Sequence, residues 1–343
     1  MKSIPGNIII SRTDSIGDVV LAMPMAKILK DRFPQIKIAL LGKSYTKAIA
    51  ETCIYFDAFI DVEDFLTKDI YVCGEKPQAI IHLNTVSKIA KRAKELKIPV
   101  RVGTAGRLYH LRTCNYLVHF SRKRSDLHEA QLNLKLLKPF GIKENFSLET
   151  IATSYGLEKL HPLKNEYTEL ISKNKFNVII HTKSQGNARE WSMDHFIKLI
   201  QILDGDKYNI IISGTESERK FIQPLLEEVG KKVIDVIGKI PLDQFVTFIN
   251  ECDAVLANST GPLHIAAALG KNAIGIYPPL KPKHAGRWGP IGIRAEVFTL
   301  DKFCEKCKLT KDFCACINSI QPAAIKLSLD KLMNEKLGGI NNL

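Results

Sequence analysis

Three short stretches of this chain place chemically capable side chains where an apolar strand gives way to a helix. The first is "SIGDVV", in which Asp18 follows Gly17 shortly after the apolar run Ile8 to Ile10. A carboxylate near a helix start is favoured by the helix dipole, which alone accounts for it structurally. The same group at the edge of a cleft can take a proton from a substrate hydroxyl. Gly17 lets the backbone turn tightly or lets a ligand come close. The second stretch is "HTKSQGNAREWSMDHF", where Lys183, Ser184 and Arg189 follow a strand ending at His181. These cations are either solvated loop charges or a means of neutralising a leaving phosphate, Arg189 as a planar fork and Lys183 as a point charge. The third is "AVLANSTGPLHIAAALG". A strand ends at Asn258, Ser259, Thr260 and Gly261 make a turn, and Pro262 opens a helix with His264 in its first turn. Free backbone N–H groups at such a start form an anion site, and the two hydroxyls add donors. The plainer reading is a capped buried helix.

The elements that must position these groups alternate. "NIIIS", "IKIALLG", "FDAFIDV" and "PQAIIHL" read as strands in the first half, with helical segments such as "VVLAMPMAKILKDRF", which contains Pro24, and "SYTKAIAET". "DLHEAQLNLKLLKPFG" reads as a helix stopped by Pro139 and Gly141. Residues 142–175 are polar and poorly periodic and read as a connection between domains. The second half restarts the alternation with "FNVIIHT", "YNIIISG", "KVIDVIG", "AVLAN" and "NAIGIYPP" as strands. Its helices include one from Trp191 that Ser192 can cap, with Asp194 in the first turn. This pattern predicts two α/β domains, each a parallel sheet with helices on both faces, and a ligand at the carboxyl ends of the strands.

The 343 residues suffice for two domains, and 45% hydrophobic with 25% charged residues is a globular balance. The N-terminus lacks an apolar signal segment, and no uncharged run reaches the roughly 18 residues of a membrane span. A cytoplasmic or peripheral protein is therefore expected. The net charge of +13 favours anionic partners, and a basic stretch runs from Lys88 to Arg124. No nucleic-acid-binding signature accompanies it, so no nucleic acid is expected. No G-x-G-x-x-G surrounds Gly17, so a dinucleotide fingerprint is absent. Of the eight cysteines, Cys304, Cys307, Cys314 and Cys316 cluster as C-x2-C-x6-C-x-C. They read as a zinc site, free thiols or a redox pair.

Taken together, "SRTDSIGDVVLAMP", "HTKSQGNAREWSMDHF" and "NSTGPLHIAAALGKNAIGIYPP" resemble glycosyltransferase family 9, the lipopolysaccharide heptosyltransferase family, in order and separation. The cysteine-rich tail is also similar to tails in that family. The resemblance implies a glycosyltransferase B fold, two Rossmann-like domains facing each other across a cleft. Residues 1–155 would bind the acceptor, 156–322 the nucleotide sugar, and 323–343 would form a helix packing back toward the N-terminal domain. It implies an inverting transfer of heptose, usually from ADP-heptose, to the lipopolysaccharide inner core at the inner face of the membrane. Asp18 matches the family's general base. Arg189 falls where a lysine commonly faces the diphosphate, and Thr260, Gly261 and His264 match the donor-phosphate loop. Ser259 stands where ADP-heptose enzymes usually carry an aspartate that can contact the sugar.

The expected mechanism follows from what sugar transfer requires. Asp18 deprotonates the acceptor hydroxyl. The helix start at Ser259, Thr260 and Gly261, with Lys183, Arg189 and His264, stabilises the leaving diphosphate. Closure of the domains about residues 142–175 excludes water. Gly17, Lys88, Arg92 and Arg101 are the candidate acceptor contacts, the cations holding an anionic glycolipid. No carboxylate cluster for Mg2+ is evident, so no cofactor is expected beyond a structural zinc. Two other classes share these features: a sugar-nucleotide epimerase, and a non-catalytic protein binding anionic glycans or nucleic acid.

Overall fold

The computed structural model describes residues 5–340 apart from 185, 187, 302–303 and 305–313. It forms two compact units, Met1–Leu160 and His161–Leu343.

The first unit is built on a six-stranded parallel sheet of β1 (Asn7–Ser11), β2 (Lys37–Gly42), β3 (Ala58–Asp61), β4 (Ala79–His82), β5 (Val100–Thr104) and β6 (Tyr116–Val118). Their spatial order is β3-β2-β1-β4-β5-β6. The chain therefore leaves β1 in one direction and returns on its other side at β4, with Ser11 in register with His82. The loops after β1 and β4 diverge at that switch, opening a crevice at the carboxyl ends of the strands. Ile8, Ile9 and Ile10 are fully buried because helices cover both faces of the sheet, which is why β1 is a continuous apolar run and not an alternating one.

The second unit repeats the plan with β7 (Phe176–His181), β8 (Tyr208–Ser213), β9 (Val233–Asp235), β10 (Ala254–Asn258), β11 (Asn272–Ile276) and β12 (Ala295–Phe298). The order is β12-β11-β10-β7-β8-β9, so the switch lies between β7 and β10. Both loops with candidate phosphate ligands emerge there. The core beneath includes Phe176, Trp191, Phe196, Leu256 and Ile274.

Several expectations are refined. Strands β5, β6 and β12 were not expected, and the first two lie inside the basic stretch. The segment through Pro24 is two helices, Ile16–Val20 and Pro24–Arg32, with the proline at the start of the second, where its missing N–H costs nothing. The Met193–Ile202 helix is capped as expected: the Ser192 hydroxyl accepts the His195 N–H at 3.3 Å. Residues 142–175 are only partly a connection. Ile151, Tyr155 and Leu157 are buried, and the Cys53 thiol donates to the Tyr155 carbonyl at 3.3 Å.

The last helix is Pro322–Ile340. Ile325, Leu329 and Met333, spaced by four, belong to the C-terminal core, and the Lys336 ammonium pairs with Asp253 at 2.7 Å. Among the described residues no helix is long and apolar enough to cross a membrane.

Candidate functional site

At the carboxyl end of β1 the chain runs through Arg12, Thr13, Asp14 and Ser15 into the Ile16–Val20 helix. Asp18 lies in that helix's first turn, with its side chain 16% exposed. Ser15, at the cap position, makes no cap bond; its hydroxyl donates to Asp18 Oδ2 at 2.5 Å. The other carboxylate oxygen of Asp18 is paired with the Arg12 guanidinium. Both oxygens are thus oriented, and each keeps a further lone pair for a substrate proton.

Arg12 was not anticipated as a functional residue, yet it organises the surroundings of Asp18. It is buried, and its guanidinium also meets Asp14 Oδ1 at 2.8 Å and Glu129 Oε1 at 3.4 Å. Glu129 in turn accepts from Arg122 Nε at 3.0 Å. Burial of a guanidinium is tolerated here because three carboxylates surround it; their charges raise the Arg12 pKa against the opposing effect of desolvation. Burial pushes the Asp14 carboxyl up to about 6, with Arg12 opposing and Asp18 adding to the rise. A nearby polar pair completes the edge: Asn84 Nδ2 donates to Thr13 Oγ1 at 2.9 Å.

Of the two readings of Gly17, a tight turn or room for a ligand, the tight turn is not seen. Gly17 is a buried helical residue whose carbonyl accepts the Leu21 N–H at 3.0 Å, so left-handed backbone freedom is unused there. Two of the three expected acceptor cations are likewise committed to structure. Arg92 donates to the carbonyls of Phe65 at 3.3 Å and Lys68 at 3.0 Å. Arg101 donates to the carbonyls of Thr113 at 2.6 Å and of Ile98. Lys88 is exposed on the Ser87–Glu95 helix.

In the second unit Asn258 joins the two switch-point loops. Its Oδ1 accepts the Trp191 N–H at 2.9 Å, and its Nδ2 donates to the Thr182 carbonyl at 2.8 Å. Thr260 sits at the cap position of the Gly261–Ala268 helix but makes no side-chain cap bond. Its buried hydroxyl, like that of Thr182 beside Asn258, has no hydrogen-bond partner among the described residues. Buried hydroxyls in native proteins are nearly always satisfied. Two orphaned ones near a helix start without a side-chain cap have the chemistry of donors to an anion. His264 is buried in the first turn, Ser259 and Arg189 are half-buried, and Gly261 begins the helix. Lys183 is less available than expected: its ammonium is paired with Glu190, whose other oxygen accepts Ser184 N and Oγ, each at 2.8 Å.

Of the cysteine cluster, Cys307 lies outside the described residues. Cys314 is buried in the C-terminal core, and Cys304 and Cys316 pack against it. Among the described residues, which leave out Cys307, no three His, Cys, Asp or Glu side chains are grouped to hold a metal ion.

The family model of glycosyltransferase family 9 (heptosyltransferase) matches residues 72–317. The chain belongs to that family. This glycosyltransferase is also similar to a Haemophilus influenzae protein named as a glycosyltransferase, 26% identical over 297 residues, covering 83% of this chain and 86% of that one. Among solved structures, a family 9 glycosyl transferase of Veillonella parvula aligns with a TM-score of 0.79 at 18% identity, covering 96% of this chain and 98% of that one. The Escherichia coli heptosyltransferase WaaC with ADP aligns with a TM-score of 0.69 at 17% identity, covering 95% and 99%. The family 9 fold, of glycosyltransferase B type, is therefore that of this chain.

Proposed function

We propose that this family 9 glycosyltransferase transfers heptose from ADP-heptose to the core of lipopolysaccharide, with inversion at the anomeric carbon. The N-terminal unit binds the acceptor and the C-terminal unit binds the nucleotide sugar. The acceptor oxygen attacks the anomeric carbon as its proton passes to Asp18. The bond from that carbon to the diphosphate breaks, and ADP leaves with the electron pair. The Thr260 hydroxyl and the N–H groups at the start of the Gly261–Ala268 helix take up the charge that grows on the leaving oxygen, with Arg189 and His264 beside them. Arg12 and Ser15 hold the Asp18 carboxylate in one orientation, which favours a near-attack geometry.

The observation that carries this reading is the pair of orphaned hydroxyls, Thr182 and Thr260, beside an uncapped helix start at the switch point of the second sheet. The naming of relatives as lipopolysaccharide heptosyltransferases and the WaaC complex with ADP support the choice of donor and acceptor. Ser259 is neutral where ADP-heptose enzymes usually carry an aspartate, so its contact with the donor sugar would be a hydroxyl hydrogen bond. Lys88 remains the exposed candidate for acceptor charge, with the acceptor presented at a membrane face.

A thermal-shift panel of ADP-, GDP-, UDP- and CDP-sugars tests the donor. At 100 times its dissociation constant the correct one adds about 2.7 kcal/mol of stability. ADP-heptose should stand apart, and ADP release should depend on added heptose-deficient lipopolysaccharide. Stabilisation by another nucleotide alone would refute the donor, and release without acceptor would refute the transfer.

A further inference from the structure

The Leu108–Thr113 helix of the N-terminal unit is amphipathic in reverse. It turns His110 and Thr113 into the protein and its leucines out: Leu108 is 84% exposed and Leu111 56%, while His110 is fully buried. The orientation is fixed from below. The His110 ring donates from Nδ1 to the Thr104 carbonyl at 3.0 Å. Gly103 on β5 allows the close seating, since a Cβ there would lie 2.7 Å from His110 Nδ1 and 2.8 Å from the Cys114 sulfur. The leucines, three residues apart, therefore share one outward face, with Arg107 and Arg112 exposed on either side. Such an arrangement keeps apolar surface in water at a cost, and paired outward leucines on a short helix mark a docking face.

The charge around that face selects the occupant. Between Lys88 and Arg124 there are eleven Lys and Arg residues against the single acid Glu95, which leaves ten of the chain's thirteen net positive charges in this one segment. The neighbouring Ser87–Glu95 helix exposes Lys88, Lys91 and Lys94. The Lys94 ammonium reaches the Arg112 carbonyl at 2.9 Å, so the lysine stripe adjoins the leucine face. A second copy docked face to face through this surface would set like charges against each other. An anionic bilayer surface satisfies both halves at once: leucines enter the acyl boundary and the basic rim meets the headgroups.

We propose that the Leu108–Leu111 face, with its rim of Arg107, Arg112, Lys91 and Lys94, docks this protein on an anionic phospholipid surface. The proposal stands on these two helices and not on Asp18 or the 259–261 turn, so it can fail without touching the transfer reading, and the reverse.

Flotation of the full chain with phosphatidylcholine vesicles, with and without phosphatidylglycerol, at low and high salt is the test. Wild-type protein should float with the anionic vesicles at low salt and be released by high salt. Leu108→Ser with Leu111→Ser should lower the bound fraction on the order of tenfold or more, with an unchanged thermal midpoint because both side chains are exposed. Arg107→Gln with Arg112→Gln should lower binding and flatten its salt dependence. Absence of wild-type binding, equal binding to neutral vesicles, or full binding by the folded leucine variant would each overturn the proposal. A leucine variant that instead converts a dimer to a monomer, with vesicle binding intact, would assign the face to a second copy.

Discussion

The side-chain oxygen of Asn258 accepts the backbone N–H of Trp191 at 2.9 Å. Together with the bond from its amide nitrogen to the Thr182 carbonyl, this ties the loop after β7 to the end of β10, the two places from which the proposed anion-binding donors emerge. Asn258→Ala leaves a buried N–H and a buried carbonyl unpaired. The expected cost is about 2 kcal/mol or more in urea unfolding, together with weaker donor binding. An alanine variant that kept wild-type donor affinity would show that the loops hold their positions without this tie.

Thr260 and Ser192 allow a cap to be separated from a ligand contact. Ser192 caps its helix and Thr260 does not. Thr260→Val should leave the thermal midpoint nearly unchanged and weaken ADP binding by about tenfold, the loss of one charge-assisted hydrogen bond. Ser192→Ala should cost about 1 kcal/mol of stability and leave ADP affinity near wild type. Calorimetric titration and melting of both variants decide the matter.

Arg12 is expected to be a positioning residue for Asp18. Arg12→Met removes the cation among three carboxylates and should destabilise the chain by roughly 3 kcal/mol or more. Arg12→Lys keeps the charge but not the fork that meets Asp14, Asp18 and Glu129 together. Its kcat should fall about tenfold while the donor KM stays close to wild type. A lysine variant with normal kcat would reduce Arg12 to a purely structural role.

Asp14 gives the fold a pH dependence of definite sign. Its carboxyl, raised by burial to about 6, binds a proton more tightly in the folded chain than in the unfolded one. The stability this contributes is fully present below about pH 4 and is lost as pH rises through about 6. In Asp14→Asn that segment disappears. The stability of the variant relative to wild type should therefore climb between about pH 4 and 6 and level off above, as read from urea melts across that range. A flat difference would show that Asp14 does not titrate there.

Much of this organisation is legible in the sequence because buried parallel strands are unbroken apolar runs, as in Ile8 to Ile10 and Val178 to Ile180. The turn at 259–261 is legible for a similar reason: a strand, a short Ser-Thr-Gly sequence and Pro262 leave little choice of local geometry. β5 and β12 escape because they carry Arg101 and Glu296, whose charges mask the run, while their pairing partners are set by the sheet. Arg12 escapes because its meaning depends on Glu129, 117 residues away. Arg92 and Arg101 show the opposite case. Their charge is visible in sequence, but the carbonyls that take up their donors are not.

The central claim is that Asp18 takes the acceptor proton in a reaction whose leaving group is held elsewhere. The most direct measurement compares Asp18→Asn with wild type for acceptor-dependent ADP release and, separately, for ADP affinity. The account predicts a kcat lower by about 10²-fold or more, with ADP bound as tightly as before and cooperative unfolding retained. A folded variant that turns over at close to the wild-type rate would contradict it.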